Sequence, residues 1–540
     1  MPVPPEPAAP FDHASRTRDA PGQDDHPTST GRPGRDARAR LLPARPGTAR
    51  PRDATSLSVG VVGGGIAGLA AATALAERGV RVTLYERADT LGGRLAGWPT
   101  TLSDGSRVTM SRGFHAFFRQ YYNLRALLRR TDPALRRLTP LPDYPLRHAD
   151  GLHDSFAAVP RTPPWSALSF AARSRSFPLR ELARVHAGAA LGLLDVRVPD
   201  IYARLDSLSA YDYLDSIRFP RSARHLAFEV FSRSFFADPR TLSAAEMALM
   251  FHIYFLGSAE GLLFDVPDEP FPQALWDPLA DRLRLLGARV RTSTEIDGVT
   301  PDRRGGLRLA TERGDDHHDA CVLALNVPGL VQLTRNSPEL GDPAWRARIE
   351  GLRTAPPFLV SRLWLDRPVA RDRPGFLGTS GYGDLDNVSV LERWEGEAAR
   401  WSARTGGSVV ELHAYAQPEH ADRRAVQDRL LGQLHRVFPE TRGSAVVDAR
   451  HEWRDDCPLF PVGGYEDRPT VRTPRPDVML AGDTIRCDLP VALMERAATT
   501  GLLAANGLLA GWGIAGHDLW TVPARGRTLV TRRLAALAGG

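Results

Sequence analysis

The sequence predicts an α/β fold of two lobes: a Rossmann-type dinucleotide-binding lobe assembled from separated segments, with an α+β lobe inserted into it. Three observations predict it. A strand, a glycine turn, a helix and a second strand ending on an acid run from Ser56 to Glu86. A short apolar strand at Pro476–Leu480 enters Ala481-Gly482-Asp483 near the opposite end of the chain. Between them lie aromatic residues at helical spacing and apolar strand-like runs, which need a core of their own. The chain has 540 residues, 42% of them apolar, enough for two or three domain-sized cores.

The elements follow in order. Residues 1–55 hold eleven prolines, nine arginines and seven acids with hardly any apolar periodicity, so they are expected to be a disordered tail. They contain no apolar run of the secretory-signal kind. Leu57–Val62 then alternates apolar and small residues as a buried strand does. Gly63, Gly65 and Gly68, with Ile66 and Ala67 between them, make Gly-x-Gly-x-x-Gly. Such glycines allow a tight turn, close approach to a diphosphate and close helix–strand packing. The alanine-rich helix Leu69–Arg78 presents its N-terminus to the phosphates, and Gly79 ends it. Glu86, with Arg87 after it, closes the strand Val80–Tyr85 where a carboxylate meets ribose hydroxyls. Gly92, Gly93 and Arg94 offer a second backbone-and-guanidinium surface to a diphosphate.

Further along, Leu283–Leu286, Gly287, Ala288–Arg291 and Glu295-Ile296 read as helix, turn and strand, and Ala320–Leu325 as a strand. Phe358–Leu365 and Val409–Tyr415 read as strands of the inserted lobe. Asp315, Asp316, His317, His318 and Asp319 read as a solvated turn, so no metal site is expected there. Residues 145–275 carry Phe228, Phe231, Phe235, Phe236, Phe251, Tyr254 and Phe255 at helical spacing, either a plain core or a lipophilic tunnel with a membrane-docking lip. Ala497–His517 is uncharged for about a bilayer's helix length. Its five glycines, Asn506 and two threonines favour a helix buried in the protein.

All 69 cationic side chains are arginine, which excludes a Schiff-base lysine and a Walker A lysine. The net charge of +6 is spread thinly and no nucleic-acid motif occurs, so no nucleic acid is expected as a partner. Cys321, Cys457 and Cys487 are far apart, as suits a reducing compartment without disulfides.

The double-ended arrangement, with Gly482 and Asp483 placed to hold a ribityl chain, resembles the FAD enzymes of the amine-oxidase and carotenoid-desaturase superfamily. The resemblance implies a two-lobe FAD-binding flavoprotein with an inserted α+β substrate domain. Its FAD lobe comes from 56–112, 276–345 and 466–515, its substrate lobe from 113–275 and 346–465, and 516–540 is a C-terminal tail. No second Gly-x-Gly-x-x-Gly indicates an NAD(P)H site. The run Gly113-Phe114-His115-Ala116-Phe117-Phe118 with Tyr121 and Asn123 is similar to one in plant-type phytoene and ζ-carotene desaturases. So is Gly482-Asp483 followed by Leu493-Met494-Glu495, although Arg496 stands where those enzymes have glycine. Residues 56–515 look closest to the actinobacterial carotenoid φ-ring synthases, also called isorenieratene synthases or β-carotene desaturase/methyltransferases.

That resemblance implies conversion of the β-ionone ring of β-carotene to an aromatic trimethylphenyl ring. Hydride abstraction, migration of one geminal methyl, proton loss and a second dehydrogenation would need flavin alone and no methyl donor. Straight-chain desaturation or isomerisation is the alternative on this scaffold, and a non-catalytic carotenoid-binding flavoprotein is another. An amine oxidase fits less well, since many place a lysine near the flavin and this chain has none.

His115 is the first candidate proton acceptor, or else a structural histidine bonded to backbone. Glu495 is a second catalytic candidate, or a satisfied helix carboxylate. Phe117, Phe118 and Tyr121 are candidates to face a substrate cation, or plain core. The expected FAD contacts are Gly63, Gly65, Ile66, Ala67, Gly68, Glu86, Arg87, Gly92, Gly93, Arg94, Ile296, Gly482, Asp483, Leu493 and Met494. So apolar a substrate implies a cytoplasmic enzyme held peripherally on the inner face of the cell membrane, with arginines such as Arg173, Arg175, Arg180 and Arg184 on anionic lipid. The electron acceptor is open, with quinone and oxygen as candidates.

Overall fold

Three separated stretches of chain contribute the five strands of one parallel sheet, in the order Arg289–Arg291, Arg81–Tyr85, Ser58–Val62, Ala320–Leu323, Val478–Leu480. Sheets of this kind are covered on both faces, which is why Val59, Val61, Val82 and Leu84 are all buried. The computed structural model describes residues 31–51, 57–186, 191–227 and 235–538. Phe228 and Phe231 lie outside them, as does Ser56. The chain divides at Arg32/Pro33 into two compact units, and the second holds every feature below.

The helix Ile66–Glu77 starts three residues before the expected Leu69, because Gly65 serves as its N-cap. It packs against the long helix Leu493–Gly511, which is buried along most of its length. Gly501 makes the approach possible: a Cβ there would press on the Ala67 carbonyl and lie 3.0 Å from the Ala70 methyl. Among the described residues no helix is long and apolar enough to cross a membrane.

The inserted lobe is built on a seven-stranded sheet in the order Val446–Arg454, Phe358–Leu365, Ser408–Ala414, Asn387–Val390, Phe376–Ser380, Leu146–His148, His153–Asp154. Alternation divides the Ser408–Ala414 strand between two environments. Val410, Leu412 and Ala414 join the core that includes Val426, Leu430 and Leu434 of the helix Arg423–Val437. Glu411 and His413 point to the opposite face. Residues 145–275 supply short helices, among them Trp165–Arg173, Asp200–Leu205, Ala210–Ser216 and Ala244–Phe251.

Three expectations are corrected. The segment before residue 56 is not disordered throughout. Arg40–Leu42 pairs antiparallel with Leu519–Thr521, and the Asp36 carboxylate is buried against the Arg527 guanidinium at 2.6 Å. Residues 516–540 are likewise folded, through that strand and the helix Leu529–Ala538. Each piece supplies the other's missing backbone and charge partners, which local composition does not reveal. Finally, Gly314–His318 is a strand paired with Leu307–Thr311, not a turn. His318 at its end is buried against the Tyr85 hydroxyl at 2.8 Å.

Candidate active site

At the carboxyl ends of the parallel strands, where Ser58–Val62 separates its two neighbours, a cavity of about 740 Å³ opens and runs onto the inserted sheet. Crevices at such switch points are where α/β sheets take ligands. Gly63, Gly65, Ile66 and Ala67 line its floor. Gly63 has φ +107°, and a Cβ there would collide with the Ala324 carbonyl, so only glycine serves. The N-terminus of Ile66–Glu77 carries no side-chain cap and no acid in its first turn, leaving its N–H groups to a diphosphate. Glu86 lies at the rim, its carboxylate accepting from Gly64 N at 2.7 Å and Ala88 N at 2.9 Å.

Arg87, Gly92, Gly93, Arg94, Ile296, Gly482, Asp483, Leu493 and Met494 also line the cavity. Arg94 donates to Asp483 at 2.6 Å. Beside them Arg112 pairs with Asp456 at 2.8 Å, and Asn326 donates to Asp456 at 3.2 Å. The donor set fits FAD: an uncapped helix N-terminus for the diphosphate, Glu86 for the ribose and a carboxylate–arginine group for the ribityl hydroxyls.

The other walls are apolar. Phe114 stacks on Phe376, ring centroids 4.3 Å apart, and Phe264 and Tyr144 meet them edge-on. Phe118 and Tyr121 line the cavity, and the Tyr121 hydroxyl is 2.7 Å from that of Tyr254. Phe236 and Phe358 are in contact on the same lining. His115 lines the cavity too. Its Nδ1 donates to the Gly113 carbonyl at 2.9 Å, and burial pushes its pKa down to about 4, so the ring is neutral. Cys457 is a buried thiol on the same lining, pushed up to about 12 by burial.

Three expected site residues lie off the cavity. Phe117 is fully buried on the opposite face of its two-residue strand from Phe118, so alternation takes it into the core. Gly68 faces the Gly63 carbonyl and serves the turn, not the ligand. Glu495 accepts from Asn123 N at 2.8 Å and Leu124 N at 2.9 Å, capping the helix Tyr122–Leu128. Burial raises its carboxyl to about 8 against the lowering effect of those bonds. Arg496 is also turned away: it is buried against Glu246 at 2.8 Å and donates to the Val491 carbonyl. Its neighbours Leu493 and Met494 still face the cavity, so glycine at 496 is not required for that.

Sequence reasoning missed Phe114, Tyr144, Phe376, Arg112, Asp456 and the polar residues of the Ser408–Ala414 strand. Only Phe114 had a signal, its place in the His115 run.

The model of flavin-containing amine oxidoreductases matches residues 66–509. The chain belongs to that family. It is 69% identical over 507 residues to a carotenoid phi-ring synthase of Streptomyces griseus, covering 94% of this chain and 98% of that one. A carotenoid phi-ring synthase of Chlorobaculum tepidum is 26% identical, covering 86% and 90%. A 15-cis-phytoene desaturase of Arabidopsis thaliana is 23% identical, covering 85% and 81%. Among solved structures, putrescine oxidase matches with a TM-score of 0.62 at 16% identity, covering 84% of this chain and 99% of that one. Cyclohexylamine oxidase of Brevibacterium oxydans matches with 0.60 at 15%, covering 85% and 98%. These structures share the fold.

Proposed function

We propose that the protein is an FAD-dependent carotenoid oxidoreductase that aromatises the β-ionone end ring of β-carotene with migration of one methyl group. The observation that carries this is the aromatic-walled cavity continuous with the dinucleotide cradle, in a chain so similar to a carotenoid phi-ring synthase. The chemistry that FAD supplies when bound is hydride acceptance from an allylic ring carbon. The chain's residues do the rest. Phe114, Phe118, Phe264 and Phe376 exclude water from the cation and offer it their ring faces. His115, neutral and with Nδ1 already bonded, has Nε2 to accept a proton. The carboxylate–arginine pairs Arg94–Asp483 and Arg112–Asp456 keep the polar half of the cavity near neutral.

We also propose peripheral attachment to the inner face of the cell membrane. Trp165, Leu168 and Leu179 are exposed on short helices, as are Leu529, Val530 and Leu534 on Leu529–Ala538, with Arg173, Arg180, Arg532 and Arg533 among them. This pairing of apolar and cationic side chains suits an anionic bilayer.

Incubation of the FAD-loaded protein with β-carotene, phytoene or lycopene in vesicles tests the reading by product. An aromatic ring formed from β-carotene supports it. β-Carotene returned unchanged while phytoene gains double bonds would replace it with straight-chain desaturation. Flavin left oxidised by every carotenoid under anaerobic conditions would make the protein a carrier.

A further inference from the structure

A hydrogen-bonded file of buried polar groups runs along the inserted sheet to the cavity wall, and the reading above does not use it. Arg362 and Glu411 face each other across paired strands, and Nε and Nη2 of Arg362 donate to one Glu411 oxygen at 3.0 and 2.8 Å. The other Glu411 oxygen is 2.8 Å from His413 Nε2, and His413 Nδ1 is 2.8 Å from the Tyr415 hydroxyl. Asn387 Nδ2 donates to that hydroxyl at 3.0 Å, and Asp386 accepts from the Tyr415 amide at 2.6 Å. His413 and Tyr415 line the cavity, and the Phe236 ring stands edge-on to Tyr415 at 4.8 Å.

The direction of each bond follows from charge. Burial opposes ionisation of Glu411, yet the Arg362 guanidinium, with His413, holds its carboxyl down to about 2. A carboxylate only accepts, so His413 Nε2 carries a proton and Nδ1 accepts from the Tyr415 hydroxyl. A hydrocarbon offers nothing for such a file to recognise. Aromatising one ring, however, releases two protons besides two hydrides, and His115 accounts for one acceptor.

We propose that Tyr415, relayed through His413 to Glu411, is a second proton acceptor for the substrate ring. It rests on the aromatising reading. In this step a ring C–H bond breaks and its electron pair becomes the new ring double bond. The proton joins the Tyr415 oxygen, while the phenolic proton passes to His413 Nδ1. Nothing is oxidised or reduced in it, and the imidazolium is held by the Glu411 carboxylate. Tyr415 is the catalytic residue and His413 its positioning partner.

The test uses FAD-loaded wild type, Tyr415→Phe and His413→Gly in vesicles carrying β-carotene. Flavin content per chain and quenching of protein fluorescence by β-carotene are measured alongside aromatic product. Tyr415→Phe is expected to keep both binding readouts and lose about 100-fold in turnover. Imidazole added to His413→Gly is expected to restore at least about tenfold more turnover than pyrazole, a weaker base of the same shape. Wild-type turnover in Tyr415→Phe overturns the relay. So does rescue that is equal for the two bases or absent with both. Aromatic product absent from the wild type itself would instead overturn the function proposed above.

Discussion

Arg94 and Asp483 are 389 residues apart in the chain, and their side chains meet at 2.6 Å on the lining of the cavity. The pair joins the Gly92-Gly93 loop to the Gly482 turn, so the two ends of the chain close the cradle together. Burial disfavours the Arg94 charge, but Asp483 beside it more than compensates. Arg94→Gln is expected to weaken FAD binding about tenfold, roughly 1.4 kcal/mol, without unfolding the chain. Titration of apo-protein with FAD, read by flavin fluorescence, checks this.

Gly65 and Gly68 separate ligand space from packing space. A Cβ on Gly65 has nothing closer than the Gly93 Cα at 3.8 Å, whereas one on Gly68 would collide with the Gly63 carbonyl. Gly65→Val is therefore expected to fold with a nearly unchanged apo melting temperature while FAD affinity falls at least about 100-fold as the valine fills the cradle. Gly68→Val is expected to lose the fold itself. Thermal melts of both apo-proteins with FAD titration discriminate the two.

Glu495 acts as a helix cap. Glu495→Gln retains one acceptor oxygen but turns an NH2 group toward an N–H donor of Tyr122–Leu128, which should cost about 1–3 kcal/mol of stability. Turnover of the folded variant should stay within about threefold of wild type, since general acid–base residues contribute about 100-fold or more. Steady-state rates normalised to bound flavin measure it.

Arg496 ties the Gly482–Val491 loop to the inserted lobe through Glu246, the Val491 carbonyl and the Asp483 carbonyl. Arg496→Gly leaves buried Glu246 with Arg468 at 2.7 Å and the Tyr202 hydroxyl at 3.0 Å. The expected cost is about 1.5–3 kcal/mol, the worth of a hydrogen bond to a charged group, with weaker flavin retention on gel filtration. Chemical denaturation of the variant gives the number.

Two buried histidines each disfavour the folded state in acid. Burial holds His115 and His318 down to about 4, against 6.5 for the unfolded chain. Between those values the unfolded state binds more protons, so stability falls as pH drops from about 6.5 to 4, on the order of 3 kcal/mol for each. Glu246 and Glu411, held near 2 against the opposing effect of burial by Arg496 and Arg362 respectively, act lower still. Their contribution is present above about 4.5 and is lost as pH falls toward 2. Glu495, raised to about 8 by burial, acts the other way from pH 8 to about 4.5, so the histidine contribution is read by replacement: the melting temperature of His318→Gln relative to wild type should rise as pH falls from 6.5 to 4.

Local sequence determined the parallel sheet, the glycine turn at Gly63–Gly68, Glu86 at its strand end and the return at Gly482-Asp483. Each is written within a few residues, because a turn, a helix N-terminus and a strand end have their own residue requirements. Only the tertiary structure decided that Arg40–Leu42 is a strand, since its edge partner at Leu519–Thr521 comes from the other end of the chain. The same holds for Glu411-Leu412-His413-Ala414-Tyr415. Its sequence reads as a strand of the inserted lobe, yet only the packed structure sets His413 and Tyr415 on the cavity wall. Period two states which side chains share a face. What the face meets depends on the strands and helices brought against it, and no local pattern encodes that.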